Sequence, residues 1–200
     1  RGGYVHNENS SPHFANVREP VVLTNRHPNM ERPMLSLRSQ LGIALIDTDA
    51  RLSLEDVVRL KHSYRMLLAE RTKPDLIRAV EATQPGGEVA AALDLLRRWD
   101  NTTAPDRRGG VLFSIWWQRY APSGGGGQPY AAPWTESDPL KTPRGLADPA
   151  RAAAAFGPRR TSASAPVPVT IIALSVDSDR PNRVLGFLIM VRALSRLPSV

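Results

Sequence analysis

Cysteine is absent from all 200 residues, which excludes disulfides, thiolate metal sites and a cysteine nucleophile. Long apolar runs are missing too. An uncharged apolar run near the C-terminus, Val184 to Val191, is far short of the roughly 20 residues a membrane helix needs. His6, His13, His27 and His62 are scattered, with no HExxH or His-x-His spacing, so no metal site is expected from them. There is no GxSxG elbow and no P-loop. The run Gly124 to Gly127 is not followed by Lys-Ser/Thr, so it suits a linker better than a phosphate cradle. The first residue is Arg rather than Met and no signal peptide is visible, which suggests a chain that starts inside a longer gene product.

What is present is a globular composition, 42% hydrophobic and 22% charged, enough for one domain or a large part of one. The net charge is +7, but it is unevenly placed. From Gly157 onward six arginines face only Asp177 and Asp179, and that tail supplies +4 of the total. The remainder is nearly balanced, with bases and acids alternating as on solvated helix faces, and neither nucleic acid nor membrane is expected as a partner.

Along the chain, Tyr4 and Val5 suit a short strand that ends in a polar turn. A stretch rich in Pro, Asn and His follows, and helical periodicity begins near residue 29. Met34, Leu37, Leu41, Ala44 and Leu45 fall on one helical face. Ser53 reads as an N-cap, with Glu55 and Asp56 in the first turn, and Leu54, Val57, Val58, Tyr64, Leu67 and Leu68 continue that helix's stripe. Pro74 suits the first turn of a third helix that buries Leu76, Ile77 and Val80. Gly86-Gly87 separates it from a fourth, with Val89, Ala92, Leu93, Leu96 and Trp99 inward. Gly109 to Tyr120 alternates like a strand yet fits a helix with Leu112, Ile115, Trp116 and Arg119 on one side; the helical neighbours favour a helix. Ser123 to Gly127 is a loop, and Leu146 to Phe156 is an Ala-rich helix. Beyond residue 156 the text turns rich in Arg, Ser, Ala and Pro, with two apolar runs, Val167 to Val176 and Val184 to Val191, that lack clean alternation. The chain is therefore divided into residues 1–156 and a divergent tail 157–200, irregular or in short strands, disordered or read from a shifted frame.

Two stretches carry chemistry or its scaffolding. Gly3-Tyr4-Val5-His6-Asn7-Glu8-Asn9-Ser10-Ser11-Pro12 places two asparagines at a tight turn, where a carboxamide can donate to a developing oxyanion. Leu95-Leu96-Arg97-Arg98-Trp99-Asp100 closes a helix with Trp beneath and Asp-Asn turning the chain. Asp47, Asp49, Glu55 and Asp56 could form a carboxylate pair, but their place at a helix junction favours capping.

Taken in order with Arg51-Leu52-Ser53-Leu54-Glu55-Asp56, these motifs resemble the β-chain of the penicillin acylase family, which includes acyl-homoserine lactone and lipopeptide acylases. The resemblance implies a mainly α piece of an α+β (αββα) N-terminal-nucleophile hydrolase, released by autoproteolytic processing. It implies hydrolysis of an acyl–amide bond, in an N-acyl homoserine lactone, a β-lactam antibiotic or a lipopeptide side chain. The nucleophile would be an N-terminal Ser outside this chain, so these residues alone would be inactive. By the same resemblance Asn9 is the oxyanion side chain, Asn7 supports the turn, and Arg32 is the orienting arginine ahead of Arg38. No cofactor is implied; some members hold a structural calcium, for which Glu19 is a weak candidate because the expected Asp is absent. The implied partners are a small acyl amide, the rest of the β-chain and the α-chain, in the periplasm or outside the cell. The rival reading is a helical interaction module without chemistry.

Overall fold

Caps and stops written in the sequence set much of the architecture. The computed structural model describes residues 3–10, 12–22, 29, 32–48, 50–122 and 127–158. The chain divides into two units, Arg1–Pro158 and Arg159–Val200, and the second lies outside the described residues together with both of its apolar runs. Most of the glycine loop, residues 123–126, is outside as well. Among the described residues there are six α-helices: α1 (Leu37–Ile46), α2 (Leu54–Lys61), α3 (Leu67–Glu81), α4 (Gly87–Arg98), α5 (Arg108–Tyr120) and α6 (Pro149–Phe156), with one 3-10 turn at Pro12–Phe14. Two isolated antiparallel bridges, Arg65 with Thr102 and Ala132 with Arg144, are the β-structure among these residues. The chain is mainly helical, as expected.

The strand expected at Tyr4-Val5 is not formed. A strand exists only against a neighbour, and the backbone pairing of this segment among the described residues is one bond, His6 N–H to the Ala15 carbonyl at 2.9 Å.

The main core lies between α3, α4, α5 and α6. Helix α5 turns Gly109, Gly110, Phe113, Trp116 and Tyr120 inward, so the helix expectation holds but the face is rotated: Ile115 is 45% exposed. Trp99 explains Gly109. Its ring lies on Gly109, where a methyl group would overlap it, standing 2.8 Å from Cδ1. The Trp99 indole N–H donates to the Thr102 carbonyl at 2.8 Å, and Asp100 Oδ1 accepts from the Thr102 N–H and hydroxyl, which turns the chain out of α4. Lys73, buried on α3, donates to the Trp99 carbonyl at 2.6 Å and closes the C-terminal end of α4. Burial lowers the Lys73 pKa, with Asp100 opposing. On the far side, the Trp116 indole donates to the Ala152 carbonyl at 2.9 Å, tying α5 to α6.

Pro74 lies inside α3, not in its first turn. The helix begins seven residues earlier because tertiary contacts start it: Met66 N–H bonds the Asn101 carbonyl and Thr103 N–H bonds the Tyr64 carbonyl. An interior proline costs about 3 kcal/mol, and the burial of Ala69, Leu76 and Val80 on the same helix offsets it. The stripe predicted to run from Leu54 to Leu68 is likewise broken. Helix α2 stops at Lys61, Tyr64 takes φ +53°, and Leu54, Val57 and Val58 face solvent. The Ser53 cap is real: its hydroxyl accepts the Asp56 N–H while the Asp56 carboxylate accepts the Ser53 N–H, a reciprocal capping box.

A second apolar cluster joins Phe14, Leu35 and Ile43 with Trp134 and Leu140. It seats α1, capped by Ser36, whose hydroxyl accepts the Ser39 N–H. Inward positions on α1 are Ser39, Gln40 and Ile43, whereas Met34 is 58% exposed and Ala44 is exposed. Helix α1 is apolar on most sides, so its periodicity did not single out one face. Buried Gln40 fixes it, donating from Nε2 to the carbonyls of Leu35 (3.0 Å) and Thr142 (2.8 Å). Arg71 of α3 holds the same loop through the carbonyls of Leu140 and Pro143, and its pKa is lowered by burial.

Candidate active site

The opening segment is anchored before it turns. Asn16 Nδ2 donates to the Tyr4 carbonyl at 2.8 Å, and the Val17 N–H reaches the Tyr4 hydroxyl at 3.4 Å. Burial pushes the Tyr4 pKa up, opposed by that Val17 bond. His6 is buried beside Tyr4, ring centroids 6.4 Å apart, and neither of its nitrogens has a hydrogen-bond partner among the described residues. These contacts deliver residues 7–9 to the surface in a defined place.

At the turn, Asn7 Oδ1 accepts the Asn9 backbone N–H at 2.8 Å. This Asx bond bends the chain so that Asn9 sits at φ +59°, a left-handed conformation that asparagine tolerates better than most residues. Both side chains are exposed. Arg38 approaches from α1. Its Nη2 donates to the Glu8 carbonyl and lies 3.4 Å from Asn9 Oδ1. A guanidinium carries donors only, so this contact turns the Asn9 carbonyl oxygen inward and leaves its Nδ2 amide hydrogens facing away from the arginine.

Arg32, expected as the orienting arginine, is exposed, and no hydrogen bond or ion pair joins it to the turn among the described residues. Among the described residues, Arg38 is the arginine that contacts the turn. Linear distance from Asn9 favoured Arg32, but Arg38 is the second residue of α1, where side chains tilt back toward the helix N-terminus and so reach the turn. Sequence reasoning also missed Gly42, one helical turn beyond Arg38. A glycine within the apolar second half of α1, Leu41 to Ile46, is the available signal, since an interior glycine can mark a close approach.

The remaining candidates serve as structure. Asp47 ends α1 and pairs with Arg18 at 2.6 Å; Asp56 completes the α2 cap. Asp49 and His27 lie outside the described residues. Glu19 is exposed, its N–H directed to Asn16 Oδ1 at 3.3 Å. Among the described residues no three His, Asp or Glu side chains converge on a metal position, and no helix is long and apolar enough to cross a membrane.

A comparison with known protein families matches residues 1–164 to the family described as penicillin amidase. The chain belongs to the penicillin amidase family. Its parent chemistry is therefore that of an acylase among the N-terminal-nucleophile hydrolases. The match spans the Asn7–Asn9 turn, the α1 arginine and the Trp99-Asp100 helix stop, so the turn and the helices that support it belong to one family unit.

Proposed function

We propose that this chain supplies the oxyanion-stabilising half of a penicillin-amidase-type active site. Asn9 Nδ2 donates to the oxygen of the tetrahedral intermediate, Arg38 holds the carboxamide in that orientation, and Asn7 fixes the turn. The observation that carries this reading is the Arg38–Asn9 contact, which frees the amide hydrogens of an exposed asparagine held at positive φ. The nucleophile is an N-terminal Ser from outside these 200 residues, whose α-amine, titrating near pH 8, acts as general base. The substrate is an acyl amide of the homoserine lactone, β-lactam or lipopeptide kind. The rest of the β-chain and the α-chain complete the site, in the periplasm or outside the cell. Cofactors are not required; any structural calcium is a feature of the parent protein, for which Glu19 is the weak candidate in this chain.

Hydrolysis of a chromogenic acyl amide tests the division of labour. The processed acylase containing this chain turns the amide over, and the 200-residue chain alone does not. Robust turnover by the isolated chain would refute an external nucleophile. A helical interaction module without chemistry is the second reading, favoured by the exposed Leu54, Val57 and Val58 on α2. It leaves the Asn7–Asn9–Arg38 arrangement without a purpose.

A further inference from the structure

Helix α1 meets the asparagine turn at two points, one helical turn apart. At the first, Arg38 binds the Glu8 carbonyl. At the second, the Glu8 side chain lies on the bare Cα of Gly42: a methyl group built there would overlap Oε1 and stand 2.7 Å from Cδ and 3.3 Å from Oε2. Oε2 is buried and has no hydrogen-bond partner among the described residues, so the carboxylate rests on Gly42 by shape rather than through an ion pair. Gly42 has no positive φ to explain it; its role is space.

We propose that Gly42 and Glu8 are positioning residues for Asn9. Glu8 is the residue directly before Asn9, and its backbone is clamped by Arg38 while its side chain is wedged against α1. The two contacts together fix both the height and the rotation of the turn over the helix. Arg38 and Gly42 are four residues apart and so share one helix face. Any side chain at position 42 lifts Glu8 from this seat and carries the neighbouring carboxamide out of line. The proposal rests on Asn9 as oxyanion donor for its catalytic consequence, but the seat itself can be examined without catalysis.

The test is a double-substitution cycle with two readouts. In the full 200-residue chain, Gly42→Ala is expected to shift the backbone and side-chain amide NMR signals of Asn9 and to speed exchange of the Asn9 N–H. The Trp116 indole signal stays in place as a control for folding. Removing the wedge in Glu8→Ala/Gly42→Ala returns the Asn9 signals to their Glu8→Ala positions. In the processed acylase, Gly42→Ala lowers kcat roughly 10- to 100-fold with KM unchanged, the scale of a misplaced reacting group, and the double variant recovers to the Glu8→Ala level. Unmoved Asn9 signals in Gly42→Ala, or equal shifts with and without the Glu8 side chain, would overturn the proposal. A catalytic role for Asn9 fails separately, through an unimpaired Asn9→Ala enzyme.

Discussion

Arg38 and Asn9, 29 positions apart, meet at one carboxamide oxygen: Nη2 of the arginine lies 3.4 Å from Oδ1 of the asparagine and also binds the Glu8 carbonyl. This pairing orients the exposed turn, because it decides which end of the Asn9 amide faces the arginine and which faces away.

The two arginines are thereby separable by mutation. Arg38→Ala removes a hydrogen bond from a charged donor, worth about 1.5–3 kcal/mol, so kcat in the processed acylase should fall by roughly one to two orders of magnitude. Arg32→Ala, at an exposed position away from the turn, should leave kcat within about twofold. Steady-state kinetics on a chromogenic amide distinguish them; equal losses would return Arg32 to the site.

Helix α5 can be checked by its faces. Phe113 is fully buried between Trp99 and Trp116, at centroid distances of 5.4 and 5.1 Å. Phe113→Ala is expected to destabilise the chain by about 3–5 kcal/mol, and Ile115→Ala, half-exposed, by less than about 1 kcal/mol. Urea denaturation gives both values, and the reverse order would mean that the inward face is misassigned.

Gln40, buried, donates one bond to the Thr142 carbonyl of the neighbouring loop and one to the Leu35 carbonyl just before α1. Gln40→Ala leaves two buried carbonyls short of a donor and should cost about 2–4 kcal/mol. Because α1 carries Arg38, the variant should also perturb the Asn9 amide signal. A Gln40→Ala chain as stable as wild type would show that the loop does not hold α1.

Acid should loosen α2. The Ser53 N–H and hydroxyl, followed by Arg59, hold the Asp56 carboxylate below its ordinary value of 3.8. A carboxylate with a depressed folded pKa contributes stability that is present above pH 3.8 and is lost as pH falls through the lowered folded value. Helicity near α2, followed by the Val57 and Val58 amide signals, should therefore decline with acid in wild type. Asp56→Asn should flatten that dependence. An identical acid profile in the two proteins would assign the loss elsewhere.

Local signals in the sequence were read well where chemistry is local. The Ser53 N-cap, the Gly86-Gly87 separator and the Trp99-Asp100 stop act within a few residues of themselves, and each is found where it is expected; the reciprocal bond from Asp56 is added by the structure. What depended on distant partners was misread. Pro74 looked like a helix start because its local preference is strong, yet bonds from Asn101 and Tyr64 begin α3 earlier. Tyr4-Val5 has strand propensity but no neighbouring strand among the described residues. Leu54, Val57 and Val58 have helical spacing, and they face solvent here because spacing identifies a stripe but not what covers it. The candidate site divides in the same way. The Asx turn at Asn7 and Asn9 is a local feature, whereas the contacts of Arg38, the second arginine candidate, and of Gly42 span about 30 residues and depend on the course of α1.

The central claim is that Asn9 donates to the oxyanion. Replacing it in the processed acylase, with Asn7→Ala alongside, tests that claim most directly. Loss of an oxyanion donor costs about 2.7–4 kcal/mol of transition-state stabilisation. Asn9→Ala should therefore lower kcat by about 100- to 1000-fold, leave KM nearly unchanged and lower the melting temperature modestly, because alanine is disfavoured at the positive φ of this position. Asn7→Ala, which loosens the turn without removing the donor, should lose less activity. An Asn9→Ala enzyme that is folded and turns over within twofold of wild type would contradict the account.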